Sequence, residues 1–242
     1  MIQLRPILLI HGILLLFLSA VMLIPMLYDF FTGEPNWRAF GNSAFVTGFF
    51  GGILYVSNRG AIKDMTIRQA FVFTTSSYFI LAAFSGLPFH FGLDASMTDA
   101  FFESASGITS TGSTVFIGLD EMPRGILLWR SLCNAFGGVG IVVMAMAVLP
   151  MLKIGGMQLF RTESSDTADK ILPSVTQIAS TIMLIFLSLS SLCALCYWLA
   201  GMSGFDAVNH ALTTISTGGF STHDASLGYF KDPMIEWIAI FF

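Results

Sequence analysis

Five stretches of this chain are apolar for about twenty residues each, the length that carries an α-helix across a bilayer. They run roughly over Ile7–Leu27, Ala39–Val56, Ala70–Phe91, Gly125–Met151 and Val175–Ala200. A sixth begins near Pro233, but Met234–Phe242 is too short to cross. Inside lipid no water satisfies backbone N–H and C=O groups, so spanning segments must satisfy their own. The expected fold class is therefore an all-α membrane protein. Length alone would allow one or two soluble domains. Composition overrules that: 55% of residues are hydrophobic and only 11% charged, where a soluble domain carries about a quarter. The mean hydropathy is +0.77.

The first span follows Arg5 and invites comparison with a signal peptide. It is long for such a segment, and no convincing small-residue cleavage site precedes Tyr28-Asp29. It is read as a transmembrane helix. The chain stops in an apolar run with no polar flank, so it reads as a fragment of a longer protein. A net charge of -4 with no basic stripe argues against nucleic acid as a partner. Cys133, Cys193 and Cys196 all fall in apolar spans and read as small packing residues.

Basic residues set the orientation. Arg59, Lys63 and Arg68 lie between the second and third spans, and Lys153, Arg161 and Lys170 between the fourth and fifth. That side is expected to be cytoplasmic. The opposite loops carry Asp94, Asp99, Glu103, Asp120 and Glu121, then Asp206 and Asp224.

Two of those outer segments nearly repeat: Ser110-Thr111-Gly112-Ser113 and Ser216-Thr217-Gly218-Gly219. Gly112 and Gly218 are 106 residues apart, as are Ala70 and Thr176. Asp99-Ala100 matches Asp206-Ala207 with one residue of slippage. Each unit reads membrane helix, short descending helix, filter strand, membrane helix. The expected organisation is an N-terminal two-helix hairpin (1–68), a first helix–pore loop–helix repeat (69–152), a cytoplasmic loop (153–174) and a second repeat (175–242). Small hydroxyl residues and glycine expose backbone, which membranes tolerate only where it is buried in protein or lines a water-filled path. Rings of backbone carbonyls are how potassium filters replace an ion's water shell. The descending helices, Thr98–Gly107 and Phe205–Thr214, are too short and polar to span. Asp99 or Thr98, and Asp206 or Ser203, are their expected N-caps. Their C-termini then direct about half a negative charge at the filter, which favours a cation.

Phe102-Glu103-Ser104-Ala105-Ser106-Gly107-Ile108-Thr109-Ser110-Thr111-Gly112 resembles the first pore loop of the Trk/Ktr/HKT potassium transporter superfamily. Thr217-Gly218-Gly219-Phe220-Ser221-Thr222-His223-Asp224-Ala225-Ser226, with Gly228-Tyr229-Phe230, resembles the second pore loop of its bacterial Trk members. Phe136-Gly137-Gly138-Val139-Gly140-Ile141, Leu149-Pro150 and Gly155-Gly156-Met157-Gln158-Leu159 resemble the connecting helix and cytoplasmic turn. The resemblance implies a potassium pathway through four such units in a bacterial inner membrane. It implies filter carbonyls at Ser110 and Thr111 before Gly112, and at Ser216 and Thr217 before Gly218. It also implies a homodimer regulated by a cytoplasmic nucleotide-binding ring protein of the TrkA type. No cofactor is implied; potassium is the cargo.

With one glycine per strand, fewer ion sites and looser discrimination against sodium are expected than in a T-V-G-Y-G filter. Glu103 is either a functional intramembrane acid or a brace for neighbouring backbone. Direct ion ligation is disfavoured, because its second-repeat counterpart, Asn209 or His210, is not acidic. His11, His90, His210 and His223 show no metal spacing, and His223 is expected in a polar turn outside the filter. The Gly51-Gly52, Gly137-Gly138 and Gly155-Gly156 pairs suit close helix packing or turns. No phosphate-binding G-x-x-x-x-G-K-[ST] string occurs. No nucleophile–base arrangement supports catalysis. The competing reading is a non-conducting membrane scaffold or assembly fragment.

Overall fold

The computed structural model describes residues 3–60, 66–152 and 175–242. Lys63, Lys153, Arg161, Lys170, the loop 153–174 and the Gly155–Leu159 string lie outside these residues.

Helices α1 (Arg5–Thr32) and α2 (Trp37–Ser57) form an antiparallel hairpin. Gly33, in the left-handed region at φ 80°, ends α1 and turns the chain. Glycine permits the two backbones to touch. A Cβ on Gly12 would sit 2.6 Å from the Tyr55 N, and one on Gly51 would sit 2.9 Å from the Leu16 N. Gly52 has no neighbour within 4 Å and plays no such part.

The third expected span is two helices, α3 (Ile67–Ser85) and α4 (Leu87–Leu93). The interruption follows from Pro88, which has no N–H to give and crowds the preceding turn. The Ser85 carbonyl takes the Trp129 indole N–H instead, at 2.8 Å. At the interruption, Gly86 lets another helix approach: a Cβ there would lie 2.9 Å from the Ala100 carbonyl oxygen.

Beyond it lie α5 (Met97–Ile108), α6 (Arg124–Leu152), α7 (Val175–Leu199), α8 (Gly204–Ile215) and α9 (Pro233–Phe241). Arg5–Thr32, Trp37–Ser57, Arg68–Leu93 and Ala179–Leu199 are each long and apolar enough to cross a membrane. α6 has 29 residues and so reaches about 43 Å at 1.5 Å per residue. α9, at 9 residues, is capped by Asp232, which accepts from the Met234 N.

Two apolar cores organise these helices. Leu15, Leu18, Met22, Phe40, Phe89, Ile126 and Trp129 fasten the hairpin to the first repeat. Cys193, Tyr197, Met202, Ala207, Ala211 and Ile235 form the second repeat's own core. α6 packs against both α5 and α8 and stands between the two units.

Candidate cation-filter site

The short helices α5 and α8 are built alike. Ser96 caps α5, its hydroxyl accepting from the Asp99 N at 3.1 Å and donating to the Asp99 carboxylate at 2.7 Å. Ser203 caps α8 through Asp206 with the same two distances. Of the expected caps, Ser203 holds. At α5 the cap is Ser96 rather than Asp99 or Thr98, because Asp99 already sits one turn inside the helix, where its carboxylate faces the capping hydroxyl.

After each helix the backbone makes the same turn. The Ser110 N donates to Gly107 and the Thr111 N to Ser106; the Thr217 N donates to Thr214 and the Gly218 N to Thr213. Ser110 and Gly112 have φ of 52° and 77°; Thr217 and Gly219 have 54° and 81°. These pairs are 107 residues apart, so the structural register differs by one from the glycine-to-glycine match at 106. Gly112 corresponds to Gly219, and Gly218, which has no positive φ, corresponds to Thr111. The left-handed glycine of the second segment is therefore Gly219. A left-handed β-branched residue such as Thr217 is an uncommon conformation, costing about 1–3 kcal/mol and typical of functional segments.

The two segments meet. A Cβ on Gly112 would fall within bonding distance of the Gly218 carbonyl oxygen, so that oxygen lies against the Gly112 Cα. A side chain on Gly218 would collide with the Asn134 carboxamide. Ser110 and Gly112 are half-buried, Thr111 and Thr217 exposed, and Ser216 and Gly218 buried. The Gly137-Gly138 pair admits both segments to α6. A Cβ on Gly137 would meet the Ile108 carbon at 2.8 Å, and one on Gly138 would meet Ser216 at 2.9 Å.

Glu103 is wholly buried behind the first segment and braces it. Its carboxylate accepts from the Arg130 Nε at 2.8 Å, the Thr114 hydroxyl at 2.8 Å and the Val115 N at 3.0 Å. The register selects His210, not Asn209, as its counterpart, and His210 Nε2 lies 3.0 Å from the Ser221 hydroxyl. Sequence reasoning missed the partner, Arg130, which is 1% exposed. Its Nη1 donates to the Ser221 carbonyl at 2.7 Å, and its guanidinium lies 4.3 Å from the centre of the Phe220 ring. One turn further along α6, Asn134 was also missed. With its amide oriented to suit both neighbours, it donates to the Gly107 carbonyl at 3.1 Å and accepts from the Phe220 N at 3.3 Å. The available signal was a charge and an amide four residues apart within an apolar span.

A clasp joins the two units on the side of the helix N-termini. Asp224 accepts from the Gly118 and Leu119 N–H groups at 3.1 and 3.2 Å. His223 lies in a polar turn, flat on the Tyr229 ring, and donates through Nδ1 to Asp120. That hydrogen bond holds the Asp120 carboxyl below its usual value.

Comparison with known proteins follows the same outline. The family TrkH, described as a cation transport protein, matches residues 38–242. The Trk system potassium uptake protein TrkH of Vibrio parahaemolyticus is 42% identical over 246 residues, covering 99% of this chain and 50% of that protein. TrkH of Escherichia coli K12 is 41% identical over 242 residues, covering 98% and 50%. The crystal structure of the potassium transporter TrkH from Vibrio parahaemolyticus superposes with a TM-score of 0.89 at 39% identity, covering 99% of this chain and 48% of that one. The chain thus spans about half the length of the curated relatives it matches. The all-α, multi-pass membrane architecture read from the apolar spans is the architecture of that transporter.

Proposed function

The chain belongs to the TrkH cation-transport family, and on that premise we propose that it supplies part of a potassium pathway through the bacterial inner membrane. The observation that carries this reading is the duplicated turn: two short capped helices, each followed by left-handed residues in the same order, brought together against α6.

The chemistry is coordination rather than bond making. Potassium sheds water only where oxygens replace it. Left-handed residues at alternate positions, Ser110 and Gly112 in one strand and Thr217 and Gly219 in the other, reorient successive peptide planes. Ser110, Thr111 and Gly112 are the proposed ion-facing residues of the first strand, and Ser216, Thr217 and Gly218, extended to Gly219 by the register, those of the second. The C-terminal ends of α5 and α8 add negative potential at that place. Glu103 supports the strand and does not touch the ion. The hairpin 1–68 and the repeats 69–152 and 175–242 are the proposed working units. The homodimer and the TrkA-type regulator are proposed on the family resemblance.

Rubidium uptake by a potassium-uptake-deficient bacterium expressing the complete transporter tests the function. Growth on limiting potassium with saturable rubidium entry is expected. Full membrane expression with no uptake would favour the scaffold reading.

The proposed orientation makes a separate prediction. Ser113 and Ile117 are exposed, Ile117 at 88%. Ser113→Cys and Ile117→Cys in the complete transporter should react with a membrane-impermeant thiol reagent applied from the periplasmic side. Labelling from the cytoplasmic side alone would reverse the topology. Phe220, the counterpart of Ser113, is unsuitable for this test because it is buried beneath Arg130.

A further inference from the structure

The filter reading leaves two buried polar side chains of α6 without a stated purpose. Arg130 and Asn134 are four residues apart, so they share one helix face. Each has partners in both repeats. Arg130 binds Glu103 and Thr114 of the first repeat, and the Ser221 carbonyl and Phe220 ring of the second. Asn134 binds the Gly107 carbonyl of the first and the Phe220 N–H of the second, and its amide lies against Gly218.

We propose that Arg130 and Asn134 are positioning residues for cation discrimination, spanning the two filter segments and fixing the distance between them. The proposal rests on the filter reading above. Apolar contacts alone leave two packed surfaces free to slide by fractions of an ångström, whereas hydrogen bonds of defined angle do not. The number and spacing of opposed carbonyls together set how well a bare cation is held. A guanidinium fork and a carboxamide reach two partners at once in a fixed plane. A lysine ammonium keeps the charge but loses that fixed plane. Phe220 is the shared element, taking the guanidinium on its ring and the amide oxygen on its N–H.

The test uses the complete transporter carrying Arg130→Lys, Asn134→Ser or Glu103→Gln. Membrane abundance, rubidium uptake kinetics, and inhibition of that uptake by sodium and potassium are measured for each. Arg130→Lys keeps the pairing charge for Glu103, so it is expected to insert at normal abundance. Its preference for potassium over sodium should fall about tenfold, the scale of cost for a small misplacement at a pre-organised site. Asn134→Ser should shift the preference in the same direction. Unchanged preference with uptake merely proportional to protein abundance overturns the proposal. So does loss of all three variants from the membrane, which would make these side chains folding elements only. Gly112→Ala in parallel separates the two ideas. If it too leaves uptake and preference intact, the filter reading fails. If it alone disturbs them, only the positioning role fails.

Discussion

Replacing Arg130 with methionine is expected to destabilise the protein by about 3–5 kcal/mol, the usual cost of leaving a buried charge without its partner. Methionine approximates the arginine stem in volume, so little of the loss comes from a cavity. What remains is the Glu103 carboxylate, 0% exposed, holding only the Thr114 hydroxyl and the Val115 N–H. The loss lowers the Tm of the complete protein. Thermal unfolding of the detergent-solubilised complete protein measures it. The double variant Glu103→Gln/Arg130→Met should recover much of the deficit, because no charge is then stranded. A single variant as stable as the parent would mean that Glu103 does not depend on Arg130.

Gly112→Ala is the second large effect. Its Cβ has nowhere to go: the obstacle is the Gly218 backbone carbonyl, not the end of a flexible side chain. The φ of 77° adds strain. Rubidium uptake by the complete transporter should fall by about a hundredfold, since displaced filter backbone misplaces every oxygen that contacts the ion. Gly219→Ala is the matched comparison. It has the equivalent left-handed backbone at φ 81° but nothing within 4 Å among the described residues. There only conformational strain acts, about 1–2 kcal/mol, and uptake should fall far less. Gly218→Ser belongs with the severe class for a different reason, collision with Asn134. Equal effects at Gly112 and Gly219 would contradict the asymmetry.

Much of the fold was legible because a bilayer tests one property, apolar length, and the spans display it. Hydropathy does not see where a helix breaks, so α3 and α4 read as one span. Pro88 behind Gly86 carried that information. The second filter strand slipped by one residue for a similar reason. The letters Thr-Gly recur at 106, yet the caps that start the helices, Ser96 and Ser203, recur at 107. Helix starts fix backbone register, whereas a glycine answers either of two needs, φ or closeness. Gly219 serves the first need and Gly218 the second. Both cap strings read serine, two residues, aspartate, a signal available in the sequence. Arg130 and Asn134 were harder. Nothing local reveals that their partners lie in two different repeats.

The polar face of α6 also has a consequence for how the protein is made. Arg130 lies 27 residues after Glu103 but 91 residues before Ser221. At a synthesis rate of roughly 5–20 residues per second, the helix waits about 5–18 seconds for its second set of partners. Throughout that interval Glu103 is the acid available to neutralise the guanidinium as α6 leaves the insertion machinery. A chain that has reached Asn134 but not Phe220 holds the first-repeat partners of this polar face and lacks the second-repeat ones.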